Sequence, residues 1–158
     1  MNYSKFEFLK KCEIILFENL KLIFEDFVSE VESKLIIRSD KLSWIETNFT
    51  NFENNKAVQV IVSEGINADN EQSYSIRFNI LKLNFNKERI SSFSINDYCT
   101  EKNISIQFNW FFVGRVDFIY ELSNFMASAL LVLKSEEMQK ILFTDYWIDI
   151  KPDFSPYR

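Results

Sequence analysis

Two rhythms divide the chain. From Ser4 to Lys34 the apolar residues Leu9, Cys12, Leu16, Leu20, Ile23, Phe27 and Val31 recur every three or four positions. That spacing lines one stripe of an α-helix. Glu7, Lys11, Glu18, Glu25, Ser29 and Glu32 keep the same period on the opposite side. Ser4 and Glu7 have the form of a capping box, each side chain reaching the other residue's backbone N–H. Further apolar residues at Phe8, Ile15, Phe17, Leu22, Phe24 and Val28 widen the stripe. The pattern therefore predicts a long helix over 4–34, lying under a sheet.

Between Leu35 and Phe112 the period becomes two. Leu35–Arg38 and Ser43–Thr47 are short strand candidates. Val58, Val60 and Val62 alternate with Gln59, Ile61 and Ser63. Tyr74, Ile76, Phe78 and Ile80 alternate with Ser75, Arg77 and Asn79, as a strand with one buried face requires. The phase then slips to Leu81, Leu83 and Phe85, and a β-bulge near Ile80-Leu81 would produce that slip. Phe93 and Ile95 suggest another strand. Ile104, Ile106, Phe108, Trp110 and Phe112 give the cleanest alternation in the chain. Residues 65–70 and 96–103 are expected to be connecting loops. Links this short between strands imply antiparallel neighbours.

The helical period returns after Gly114. Phe118, Leu122, Phe125, Met126, Ala129, Leu130 and Leu133 predict a helix from about 117 to 143, with Asp117 as a candidate cap. The tail, 144–158, is irregular and contains both prolines, Pro152 and Pro156. The expected fold is a single α+β domain over 1–158. Its long N-terminal helix and its C-terminal helix would pack on one face of an antiparallel sheet of about 4–6 strands.

Composition changes this picture mainly by subtraction. The 158 residues include no histidine, so the polypeptide itself supplies no imidazole for a triad or a zinc site. Its two glycines, Gly65 and Gly114, stand too far apart to form a phosphate-binding fingerprint. Cys12 and Cys99 make no disulfide framework, and Cys12 falls on the apolar side of the predicted helix. Free thiols, a start without a signal-peptide layout and no lipid-length apolar run together lead to the expectation of a soluble cytoplasmic protein.

Few arrangements with chemical potential stand out. Glu32-Ser33-Lys34 and Glu101-Lys102 have the residue types of carboxylate-plus-lysine nuclease sites. A solvated helix end accounts for the first. Asp117 with Glu121, and Asp145 with Asp149, are four apart and would share a helical face. Paired carboxylates of that kind serve glycoside hydrolysis when separation and burial are right. No run of oxygen ligands at loop spacing suggests magnesium or calcium. The expectation is a protein that is not an enzyme, with no catalytic, cofactor-binding or metal residues.

The net charge is −5, with 18 basic residues against 23 acidic ones. Interspersed bases argue against a nucleic acid partner, and an acidic balance suits a basic protein. The tail mixes Tyr146, Trp147 and Tyr157 with Asp145, Asp149 and Asp153, which makes these the candidate partner-binding residues. An immunity protein that covers the active site of a cognate basic toxin domain, such as a nuclease, fits best. The alternatives are an acidic secretion chaperone of the type III kind, a phage-encoded inhibitor of a defence nuclease, and a carboxylate-dependent hydrolase.

Overall fold

A computed structural model describes residues 7, 10–12, 14, 15, 18, 20, 25–27, 29–39, 42–66, 69–106, 111–113 and 115–151. For 39, 111–113 and 115–119 it describes the backbone alone. The chain forms an open antiparallel sheet with helices, an α+β arrangement in one domain. The strands are β1 (Glu30–Ser39), β2 (Leu42–Asn51), β3 (Lys56–Ile66), β4 (Gln72–Leu83), β5 (Arg89–Ser94) and β6 (Phe111–Val113). Helix α1 (Ile95–Glu101) lies between β5 and β6, and α2 (Arg115–Leu133) and α3 (Glu136–Phe143) follow β6. The sheet order is β1-β2-β3-β4-β5, and β6 pairs with the first part of β4 through Ser73–Ser75.

The register explains the core. Phe49, Val58, Ile80 and Phe93 are successive cross-strand partners, as are Ile45, Val62 and Ile76, and Thr47, Val60 and Phe78. All of these side chains are buried on one face, here called inner. Leu122, Phe125, Met126 and Ala129 of α2 and Met138, Ile141 and Leu142 of α3 join them in a single cluster. Phe78 and Phe125 meet with ring centroids 6.3 Å apart, so α2 lies directly on the inner face. The outer face is more polar. There Gln59 receives a hydrogen bond from Asn79 (3.1 Å) and donates one to Glu46 (3.2 Å), linking β2, β3 and β4.

The long N-terminal helix is the first correction. Described residues between 7 and 20 are helical, but Glu25–Phe27 form a turn and Glu30–Lys34 already belong to β1. Phe27 and Val31 kept the helical rhythm by coincidence. Phe27 is buried in the turn, with its carbonyl accepting from Asn51 Nδ2 (2.6 Å) and its ring 5.5 Å from Phe143. Val31, Ser33 and Leu35 then face inward in a strand, as cross-strand partners of Phe49, Thr47 and Ile45. The C-terminal helix is also divided. It begins at Arg115, so Asp117 lies in its first turn, and Ser135 separates α2 from α3.

Three smaller expectations change as well. No bulge interrupts the β3–β4 register at Ile80-Leu81, and the shift lies against β5, between Lys82 and Leu83. The apolar phase slips because Leu81 and Leu83 join Ala57 in a second, smaller cluster. Residues 96–103 contain helix α1, whose first turn is capped by Ser94 Oγ accepting from Asp97 N (3.0 Å). Ile104–Ile106 are not strand, and of the predicted strand only Phe111 and Phe112 fall in β6. Positions 107–110 lie outside the described residues.

Candidate functional site

The segment after α3 is where aromatic and acidic residues gather, and a buried lysine fixes its start. Lys56 is the first residue of β3 and has the same phase as Val58, Val60 and Val62, so its side chain points inward. It is only 2% exposed. Its ammonium donates to the carbonyls of Ile141, Thr144 (2.9 Å) and Tyr146 (3.0 Å). A lysine ammonium has three protons, and three acceptors satisfy them all. These carbonyls belong to the last turn of α3 and the residues after it, where unpaired C=O groups concentrate negative charge. Burial, reinforced by Lys82 across the strand pair, pushes the Lys56 pKa down to about 8, against the opposing pull of Asp145.

Trp147 provides the second anchor. Its ring centroid lies 5.2 Å from that of Phe93, and its Nε1 donates to Ser91 Oγ (3.2 Å). Lys56 Nζ sits 5.5 Å from the indole centroid, within cation–π range. Trp147 and Ile148 pack against the core, and Ile150 is buried in it. Thr144, Asp145, Tyr146, Asp149 and Lys151 remain exposed.

A third tie connects the segment to both neighbouring helices. Glu137 of α3 accepts from Tyr98 of α1 (2.8 Å) and from Tyr146 (3.1 Å), and forms an ion pair with Lys102 (3.2 Å). Burial pushes the Glu137 pKa up, but the three donors outweigh it and hold the carboxyl below its usual range. Burial and the bond to Glu137 raise the Tyr98 pKa, and the bond to Glu137 raises that of Tyr146. Lys140 Nζ lies 5.1 Å from the Tyr146 ring centroid.

The candidate partner-binding residues thus divide. Asp145, Tyr146 and Asp149 are exposed on an anchored segment, whereas Trp147 is half-buried and acts as its wedge. Asp153 and Tyr157 lie outside the described residues. Asp145 and Asp149 share no helical face, because α3 ends at Phe143. Asp117 and Glu121 do lie on one helix, α2. Glu32 and Lys34 sit in a strand and pair with each other at 3.4 Å.

Both cysteines are buried free thiols. Burial, with the nearby Glu64 charge adding to it, pushes Cys12 up to about 12, and burial pushes Cys99 up to about 11. Neither thiol is primed as a nucleophile. Among the described residues no group of three or more Cys, Asp or Glu side chains is placed to hold a metal ion. No helix among them is long and apolar enough to cross a membrane.

The residue that sequence reasoning missed is Lys56. Its phase with the inward valines was the available signal. Comparison with protein-family models, with curated proteins and with solved structures finds no match to the chain.

Proposed function

We propose that the protein works by binding another protein, as an immunity protein that occludes the active site of a cognate, basic toxin domain. The observation that carries this reading is the anchored exposure of Asp145, Tyr146 and Asp149. Lys56, Trp147 and Glu137 tie the backbone and flanking side chains down, leaving these three in solvent. A segment already ordered before binding avoids much of the entropic cost of docking. An exposed tyrosine flanked by carboxylates offers an amphipathic ring with negative charge beside it, chemistry suited to a lysine- and arginine-rich surface. The overall charge of −5 acts in the same direction by speeding encounter with a basic partner.

Co-expression with the product of the gene immediately upstream tests the reading. The expected result is a stable complex and protection of the host cell from that product. Absence of both a complex and protection would refute it.

A further inference from the structure

Two turns project from one end of the sheet, β2–β3 over 52–55 and β4–β5 over 84–88. They are bolted together. Leu83 N donates to Asn55 O (2.9 Å), and Lys87 Nζ donates to Phe52 O (3.3 Å) and to Asn55 Oδ1. The same ammonium lies 5.1 Å from the Phe52 ring centroid. Asn84 closes the second turn. Its carbonyl accepts from Lys87 N, its N–H donates to Glu88 O (2.9 Å), and its side chain accepts from Glu88 N (3.0 Å). Lys87 has φ 63°, a left-handed conformation that glycine adopts more easily. A lysine stands there instead, and its side chain makes the ties between the turns.

On this rigid base Phe85 is 94% exposed. A phenylalanine held clear of its own protein keeps its apolar surface in water until something covers it. The turns lie at the end of the sheet that holds the anchored segment. Lys56, which bonds Tyr146 O, directly follows the first turn, and its strand partner is Lys82. The other partner of Lys82 is Ser91, which accepts from Trp147. Phe85 comes three positions after Lys82, about 10 Å of strand.

Given the toxin-binding reading, on which this rests, we infer that Phe85 is the apolar anchor of the partner-binding surface. It inserts into an apolar pocket rimmed by lysine or arginine on the cognate toxin domain, beside the contacts of Asp145 and Tyr146. Binding energy concentrates in single aromatic residues that fill desolvated pockets, and a ring positioned before docking loses little freedom on binding. The turns carry Glu53 and Glu88, both exposed, and their lysine is turned onto Phe52 and Asn55. Acids beside the ring suit a basic rim. They oppose insertion into an anionic membrane, as does the net charge of −5.

Titration calorimetry of the full chain against the product of the gene immediately upstream, at several temperatures and salt concentrations, compares wild type with Phe85→Ser and Phe85→Leu. Phe85→Ser is expected to bind about thirtyfold more weakly, with a less negative heat-capacity change and the salt dependence of wild type. Phe85→Leu keeps an apolar side chain and is expected to stay within about fivefold of wild type. An unchanged urea midpoint for both variants shows that the fold is kept. Equal affinity of wild type and Phe85→Ser would overturn this inference and leave the toxin-binding reading standing. Failure of wild type to bind would overturn that reading and this inference with it. Two further results would overturn it by giving the ring another occupant. One is Phe85-dependent binding to vesicles of anionic lipid, and the other is Phe85-dependent dimerisation in sedimentation velocity.

Discussion

The two edges of the sheet are built from similar strands and treated differently by the rest of the chain. Beside β5, the chain leads directly into α1, and Trp147 returns from beyond α3 to bond Ser91 and pack on Phe93. Beside β1 no described element lies alongside, and the strand carries sorted charges instead. Among the described residues both strands pair on one side only. The difference lies in what they hold: β5 holds the anchored segment through Ser91 and Phe93, whereas β1 carries a row of charges. Variants at the first should therefore cost more folding stability than variants at the second.

The largest effect is expected at Lys56. Lys56→Met keeps the aliphatic stem and removes the three donors, leaving the carbonyls of Ile141, Thr144 and Tyr146 without that partner. Loss of buried charge-assisted bonds should cost about 2–4 kcal/mol in a urea titration. Trp147→Ala comes next, at about 2–3 kcal/mol, because the ring is half-buried and loses both Phe93 and Ser91. If either variant is as stable as wild type, the segment is not anchored as described.

The pH dependence gives a smaller but signed effect. The Lys56 pKa is lowered from 10.5 to about 8, so between those values the unfolded chain holds a proton that the folded chain has shed. Stability from this group therefore rises as pH climbs above 8. Cys12 and Cys99 are raised from 9.0 to about 12 and about 11, so the folded chain keeps protons that the unfolded chain loses. Their contribution falls above pH 9, and Tyr98, also raised, adds to the fall at higher pH. A thermal-melt series should show stability increasing from pH 8 to 9 and decreasing beyond it. In Lys56→Met the initial rise should disappear.

The smallest stability effect is expected where exposure is greatest. Phe85 is 94% exposed on the β4–β5 turn, which is closed by Lys87 N donating to Asn84 O (3.0 Å) and by Asn84 Oδ1 accepting from Asn86 N (2.8 Å). Phe85→Ser leaves those bonds intact and should change stability by no more than about 0.5 kcal/mol.

The same division describes what could be read from the sequence. Strands β3 and β4 were legible because one face of each is buried, so alternation and burial coincide at Val58, Val60, Val62, Ile76 and Phe78, whereas only the first half of β2 was expected, as Ser43–Thr47. Position 31 was misread because valine fits a helical stripe and an inward strand position equally well over so short a window. Helix α1 was missed although Ser94 and Asp97 already have the spacing of a cap, since seven residues carry little periodic signal. The acidic and aromatic residues around Tyr146 could be identified from composition. Their anchoring could not, because it depends on a lysine 90 positions away whose partners are backbone carbonyls. Carbonyls have no letter in the sequence.

Titration calorimetry of the full chain against the upstream gene product tests the functional claim most directly, comparing wild type with Asp145→Lys/Asp149→Lys. Both side chains are exposed, and because Asp145 also acts on buried Lys56, a urea titration of the double variant checks that the fold is kept. The account predicts binding by wild type that weakens with salt and at least about tenfold weaker binding by the double variant. Equal affinity of the two proteins, or no binding by wild type, would contradict it.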